Sequence, residues 1–549
     1  MKKIWLDHYA KHVPHSLAYP AIPIHRFLTD TAAAHPDDIA YTFNDTDASY
    51  RELNEKVNKF AFVLQKAGVK KGDRIALILV NSPTYVIAFF AAAKLGAIVA
   101  NLSVGIQGEE LTRCLNGSGV KAVVTLDLFA QNLYGVVKKT GVETVFLHSV
   151  FGLEKKIPLE AGMPEPRVIL EALASVETAA EPEAAISPSD VAVLQYTSGS
   201  TGAPKAATLT HSNIVASVLQ SDAWMGISGA GNAAVMCVIP FFHVFGMSAC
   251  LLISVLKGYR MILLPRMDFM DILSLVKLLE TYRPISFPAV PSLWGAVMSI
   301  PPEVAKTHLA SIRVAISGGA PLPASVHERF EELTGRKIME AYGLSEASSA
   351  THITPYPHGA PRGSIGLPLP DTEVRIVDMN GGRKECNVGE VGELAVKGPQ
   401  IMQGYWNNKE LTEAVLRDGW FYTGDMARMD GDGYFTLVDR KDDLIISHGF
   451  NVYPGQIEEV LRQHPKIRDA AVIGIPDRVK GQAILAVIAL KDGSQGYKKE
   501  FLDYCRENLP DYRMPKAILI RTDIPRDPAG KLLRRILRQD PQVARVRPA

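Results

Sequence analysis

Strand-like runs that alternate with helical patterns constrain this chain's fold more than any other feature of it. Arg74–Val80 is a short apolar run followed by a helical pattern over Ala88–Lys94. Ala122–Thr125 is another such run, and Arg260–Leu264 precedes a helical pattern over Ile272–Leu279. An apolar stripe at helical spacing has to be buried against a neighbouring layer, and a continuous apolar run suits a strand inside a sheet. The alternation therefore implies α/β layers built on parallel sheets. The 549 residues suit about three or four domain-sized units. Residues 171–189, rich in Ala, Glu, Pro and Ser, read as a surface connection. Past residue 366 the texture changes to short strands with Gly and Pro turns, such as Thr372–Val377 and Gly392–Val396. The charged stretch Asp439-Arg440-Lys441-Asp442-Asp443 then precedes a fresh α/β pattern and is a candidate hinge.

Composition excludes several classes. Hydrophobic content of 47% and charge of 21% describe a globular chain with a large core. A net charge of +1 gives no reason to expect nucleic-acid binding. The five cysteines, Cys114, Cys237, Cys250, Cys386 and Cys505, are odd in number, widely spaced and free of CxxC pairs, as in a reduced cytoplasmic protein. The N-terminus meets Asp7 before any apolar run forms, so no secretory signal is expected. Between Ala223 and Leu256 there is no Lys, Arg, Asp or Glu. Glycines, Pro240 and His243 break this segment into a strand (Ala234–Ile239), a turn and a buried helix (about Met247–Leu256), which argues against a transmembrane span.

The most telling local string is Tyr196-Thr197-Ser198-Gly199-Ser200-Thr201-Gly202-Ala203-Pro204-Lys205. Thr197, Ser198, Ser200 and Thr201 supply hydroxyls, Gly199 and Gly202 let backbone N–H groups face an anion, and Lys205 adds a positive charge. Such a loop fits a polyphosphate. It is not a Walker loop, because the spacing of glycines and lysine differs and no Ser or Thr follows Lys205. Val191–Tyr196 and Ala206–Thr210 read as strands, so the loop joins strand to strand. Thr210 or Ser212 then caps a helix with Ile214, Val215, Val218 and Leu219 on one face.

Further segments follow in order: Ser317-Gly318-Gly319-Ala320-Pro321 after the strand Arg313–Ile316; Glu340-Ala341-Tyr342-Gly343-Leu344-Ser345-Glu346; Tyr422-Thr423-Gly424-Asp425; Gly449-Phe450-Asn451-Val452-Tyr453-Pro454; and Pro525-Arg526-Asp527-Pro528-Ala529-Gly530-Lys531. With the loop, these resemble the motifs of the AMP-forming acyl-CoA synthetase/adenylation superfamily. Phe241-Phe242-His243-Val244-Phe245-Gly246 and Gly449–Pro454 are most similar to the bacterial medium- and long-chain fatty acid–CoA ligases. The resemblance implies an α/β fold with two parts. One is a large multi-subdomain N-terminal domain over 1–439, with layered α/β sheets plus a small β-barrel-like part. The other is a small mobile α+β C-terminal domain over 444–549, joined through a hinge at 440–443. It also implies ATP, Mg²⁺ and CoA, and a two-step conversion of a carboxylic acid to acyl-AMP and then acyl-CoA.

Residue by residue, the resemblance implies Glu346 as a magnesium ligand, with Thr197 as a second. Ser345 would bond the α-phosphate and Tyr342 would stack on adenine. Gly318, Gly319 and Ala320 would form the purine slot, bordered by Glu340, Ala341 and Gly343. Asp425 would accept the ribose hydroxyls with Arg440 near the ribose or phosphate. Lys531 would be the catalytic lysine, at the end of a turn sequence that opens a helix over Leu532–Gln539. Asp442 would be the pivot, with Gly449, Phe450 and Asn451 lining the CoA channel; His448 stands where relatives often carry Ser or Gly. Pro454 would open a helix with Ile457, Val460 and Leu461 inward. Arg534, Arg535 and Arg538 read as a solvated face, with contact to anionic lipid or CoA phosphates as the alternative.

His243 would be the pivotal residue of the acyl pocket, and Met247 stands where some long-chain relatives place an aromatic gate. No tryptophan stands in Ala341-Tyr342-Gly343-Leu344, so the pocket is expected to be open to longer chains. An aryl- or acyl-adenylating ligase with another carboxylic acid or another acceptor, such as a carrier protein, and a silent acyl- or nucleotide-binding protein, are the alternatives. Peripheral membrane contact and a homodimer are left open by the sequence.

Overall fold

The structure, a computed structural model, describes residues 3–149, 159–197, 204–227, 233–264, 272–378, 382, 384–447, 450–477, 481–526 and 532–546. Among them four sheets form, of eight, nine, five and five strands. The two large ones are the mainly parallel sheets that the alternation implies. In the eight-stranded sheet, Arg74–Ile78 lies parallel between Ile98–Asn101 and Val120–Leu126, and Val191–Thr197 adds parallel to Ile98–Asn101. In the nine-stranded sheet, Val314–Gly318 lies parallel between Ser286–Ala289 and Met339–Leu344, after which Ser349–Ile353 turns back antiparallel.

The core helix Pro83–Leu95 shows how sequence fixes an element here. Ser82 caps the amide of Tyr85, Pro83 opens the first turn, and Gly96 at φ 66° closes the helix. Every residue from Thr84 to Leu95 is buried, Lys94 included. The Lys94 ammonium meets Asn54 Oδ1 at 2.7 Å, Asn58 Oδ1 at 2.8 Å and the Glu181 carboxylate at 3.1 Å. Glu181 belongs to the stretch expected as a free surface connection. That stretch begins with the helix Ile169–Ala174 and is anchored through Glu181, because a buried ammonium without a counter-charge would be strongly destabilising.

The uncharged segment is divided much as expected: the strand Ala234–Cys237, then Val244–Gly246, a π-helical stretch over Met247–Leu252 and the helix Ile253–Lys257. No helix among the described residues is long and apolar enough to cross a membrane. All five cysteines are free, and four of them are buried.

The small β part is an antiparallel sheet containing Glu373–Val377, Gly392–Lys397, Trp420–Met429 and Phe435–Arg440. The last sheet belongs to a smaller C-terminal domain with its own core, in which Ile457 and Leu461 of the helix Pro454–Arg462 pack with Ile484, Ile488 and Phe501. Val460 is only partly buried against that core.

One expectation is overturned near the C-terminus. The Arg534 side chain is 12% exposed and meets Glu458 Oε1 at 2.7 Å and Asp443 Oδ2 at 3.1 Å; Arg538 reaches Asp443 at 2.7 Å. Carboxylates far away in sequence face this helix, so Arg534 is an internal counter-ion and not part of a solvated face. The helix itself is shorter than expected, covering Arg534–Arg538.

Candidate active site

The strand Val191–Thr197 returns as Lys205–Thr210 in antiparallel register, with Thr197 opposite Lys205. The phosphate-type loop therefore joins strand to strand. Its residues Ser198, Gly199, Ser200, Thr201 and Gly202 lie outside the described residues. Thr210, rather than Ser212, is the cap of the next helix: its hydroxyl accepts from Asn213 N and the Asn213 side chain accepts from Thr210 N. At the loop's base the Tyr196 hydroxyl lies 2.6 Å from Ser118 Oγ and donates to Cys114 O at 2.8 Å, fixing the strand from below.

A 3₁₀ turn over Ser345–Ala347 packs on both of these strands and brings Glu346 to them. Tyr405 donates its hydroxyl to Glu346 Oε1 at 2.8 Å, and the Lys205 ammonium stands 5.8 Å from the centre of the Tyr405 ring. Burial and the Glu346 charge push the Tyr405 hydroxyl's pKa up, so it stays a donor. Tyr405 was not singled out from the sequence; its signal is the edge strand Gly404–Tyr405, which pairs with Lys205–Thr210. Glu346 and Thr197 offer one carboxylate and one hydroxyl, oxygen donors of the hard type that would suit a Mg²⁺. Among the described residues no group of three or more His, Cys, Asp and Glu could hold a metal ion.

A second group lies at the ends of adjoining strands. Gly318 pairs with Ala341 and Ser317 with Glu340. Gly319 follows at φ 88°, with Ala320 next. A Cβ on Gly343 would stand 2.0 Å from the carbonyl oxygen of Ser349, so only glycine lets the chain turn back there. Burial raises the Glu340 carboxyl, which accepts from Leu322 N at 3.3 Å. The Tyr342 hydroxyl donates to Asp425 Oδ2 at 2.5 Å, and Arg440 Nη1 donates to Asp425 Oδ1 at 2.7 Å across paired strands. Burial, then the Asp425 charge, hold the Tyr342 hydroxyl well above its ordinary pKa. His352, not foreseen, sets its ring edge-on to Tyr342 at 5.8 Å, and burial lowers its pKa to about 3, so the ring is neutral. An aromatic face beside a carboxylate with two oxygens suits a base and its vicinal ribose hydroxyls.

The third group is the turn Pro240–Gly246. His243 Nδ1 accepts from Phe245 N at 3.3 Å and so caps the helical segment that follows. A Cβ on Gly246 would stand 2.3 Å from the Pro240 carbonyl oxygen. The Phe245 ring lies against Gly318, where a Cβ would be 3.3 Å from a ring carbon, so this turn borders the second group. Met247 is fully buried at the start of the π-helical stretch.

Of the remaining expected residues, Asp442 adds its negative charge to the surroundings of Arg440 in the second group. Asp442 lies in the 3₁₀ turn Lys441–Asp443, where Lys441 pairs with Glu393 at 2.7 Å. Asn451 is exposed on the strand Phe450–Val452 of the C-terminal sheet. Gly449 and Lys531 lie outside the described residues.

The same chemistry recurs in known proteins. Residues 28–406 match the model of the AMP-binding enzymes, and residues 456–531 match that family's C-terminal domain. The chain is 36% identical to a long-chain-fatty-acid–CoA ligase of Bacillus subtilis, over 98% of both chains. It is 35% identical to a protein of the same description from Escherichia coli, again over 98% of both. The crystal structure of ATP-bound MatB from Rhodopseudomonas palustris superposes with a TM-score of 0.84 at 28% identity, covering 95% of this chain and 99% of that one. With the AMP-binding model matched over residues 28–406 and 36% identity along nearly the whole chain to such an enzyme, the chain belongs to the AMP-binding enzyme family.

Proposed function

We propose that this enzyme activates a medium- or long-chain fatty acid with ATP and passes the acyl group to CoA. In the first step a carboxylate oxygen attacks the α-phosphorus, the bond to the β-phosphate oxygen breaks, and pyrophosphate leaves with the electron pair. In the second the CoA sulfur attacks the acyl carbon, the bond to AMP breaks, and the thiol proton passes to solvent. A carboxylate is a poor electrophile, and adenylation gives it a good leaving group.

The observation that carries this reading is the linkage of three groups: Tyr342, Asp425 and Arg440 bonded at the strand ends; the aromatic turn bearing His243 against Gly318; and Glu346, just beyond Tyr342 in the chain, in a turn packed on the strands of Thr197 and Lys205. Near-full-length similarity to fatty acid–CoA ligases favours CoA and a fatty acid among the family's substrates. Tyr342 stacks on adenine between Gly318–Ala320 and the strand Glu340–Gly343, and Asp425 takes the ribose hydroxyls. The Ser345 hydroxyl and Arg440 orient phosphate oxygens. Glu346 and Thr197 would hold Mg²⁺, which neutralises phosphate charge when bound. Lys531 orients the acid carboxylate and α-phosphate. Asp442 within 440–443 is the pivot between the domains 1–439 and 444–549, and rotation brings Gly449, Phe450 and Asn451 to the thiol's path.

Purified protein should form AMP from ATP only when acid and CoA are both supplied. A panel from acetate to palmitate, with benzoate and coumarate, should peak at the longer aliphatic acids. AMP release that ignores CoA would indicate another acceptor, and a peak at the aryl acids would overturn the substrate assignment.

A further inference from the structure

Four buried polar side chains outside the three groups connect the strand that ends at Thr197 to the turn that carries His243. They are Asn81, Tyr85, Asn101 and Gln195, each 3% exposed or less. Gln195 and Asn101 are partners on adjacent parallel strands. Asn101 Nδ2 donates to Gln195 Oε1 at 3.2 Å and toward Met247 Sδ at 3.6 Å, while Gln195 Nε2 donates to the Phe242 carbonyl at 2.8 Å. The Tyr85 hydroxyl lies 2.6 Å from Asn101 Oδ1 and 2.9 Å from Phe241 O, so its one proton bridges two acceptors. Asn81 grips the same turn from its other end: its Nδ2 donates to Cys237 O and Ile239 O, both at 2.9 Å, and its Oδ1 accepts from Phe241 N at 2.8 Å.

Nothing in sheet packing asks for amides at these positions. Burying them is costly unless every donor and acceptor is matched, and leucine or methionine would fill the same space. The bonds also have a fixed sense. Gln195 can offer its N–H to Phe242 only while its oxygen faces Asn101, and Asn101 can meet that oxygen only while its own oxygen faces Tyr85. A small shift in one member therefore reorients the next.

We infer that Gln195 and Asn101 are positioning residues that set the register of the turn Phe241–Gly246, and with it His243 and Met247, against the strand leading into the phosphate loop. This rests on the proposed reading of that turn as the element that binds the acid. Neither residue touches a reacting atom.

The test is acid-dependent pyrophosphate release in Gln195→Met, Asn101→Leu, their double variant and Tyr85→Phe, with acid and ATP varied together. Each single amide variant leaves a buried carbonyl or amide without its partner, and the KM for the acid should rise about tenfold. The kcat should change less than KM. The double variant should be no worse than the poorer single one, because both break one chain. Tyr85→Phe removes a single hydroxyl and should raise the acid KM by a smaller factor, which keeps the test open if the amide variants fold poorly. Multiplicative effects of the two amide changes, or lowered melting temperatures with an unmoved acid KM, would overturn the inference while the unaltered enzyme remains active. Absence of acid-dependent pyrophosphate release in the unaltered protein would instead overturn the proposed function and this inference with it.

Discussion

Asp425 is held from both sides, by the Tyr342 hydroxyl at 2.5 Å and by Arg440 at 2.7 Å. A ribose that uses this carboxylate has to take over the place of the tyrosine's donor, while the arginine keeps its bond to the other oxygen. Asp425→Asn should therefore raise the KM for ATP by about 10- to 100-fold, the range for hydrogen bonds to a charged group. Tyr342→Phe keeps the ring and loses only a donor that the substrate replaces, so its ATP KM should move by about threefold or less. Steady-state pyrophosphate release checks both; an ATP KM unmoved by Asp425→Asn would remove that carboxylate from the nucleotide site.

Lys531→Ala should lower acid-dependent pyrophosphate release by about 10²- to 10³-fold, the usual loss for one aligned donor to a developing charge. Transfer of a synthetic acyl-AMP to CoA should survive. Equal loss of both half-reactions would contradict a role confined to adenylation.

Asp442→Pro fixes φ in the middle of the turn Lys441–Asp443. If the small domain turns about this residue, adenylation should persist at a near-normal rate while thioester formation falls by at least about tenfold. Stopped-time assays of acyl-AMP and acyl-CoA separate the two steps, and an unaffected second step would exclude Asp442 as pivot.

Three buried histidines make the fold acid-sensitive. Burial lowers His25 and His211 to about 4 and His352 to about 3, against an ordinary value of 6.5. Below pH 6.5 the unfolded chain binds protons that the folded one refuses, so stability falls as pH drops, by about 1.4 kcal/mol per pH unit for each ring. The loss continues until pH passes the folded values near 4 and 3. His352→Gln should flatten the slope of unfolding free energy between pH 6 and 4 by one such increment. An unchanged slope would mean that His352 is already protonated in the folded protein.

What the sequence disclosed and what it hid follow from the range of the interactions. Strand–loop–strand geometry around Tyr196–Lys205 was readable because apolar runs and turn chemistry are local. The same holds for the helix opened by Pro454 and the break in the uncharged segment at Pro240 and Gly246. The Lys94–Glu181 pair was not readable, since a lone lysine in an apolar helix says nothing about a carboxylate in a distant connection. Arg534 was misjudged for the same reason: its partners Asp443 and Glu458 lie far upstream. Tyr405 and His352 gain their places only through strand pairing that brings separate segments against Glu346 and Tyr342.

The clash that any side chain at Gly246 would make with the Pro240 carbonyl has an evolutionary corollary. Backbone against backbone leaves no room for graded change, so the bend itself offers selection nothing to tune. If this turn binds the acid as proposed, drift in acyl preference has to enter where side chains alone meet, at Met247 and along the π-helical stretch to Leu252. Single π-helical turns within helices are found frequently at functional sites. Libraries aimed at altered chain length belong there, with the bend left untouched.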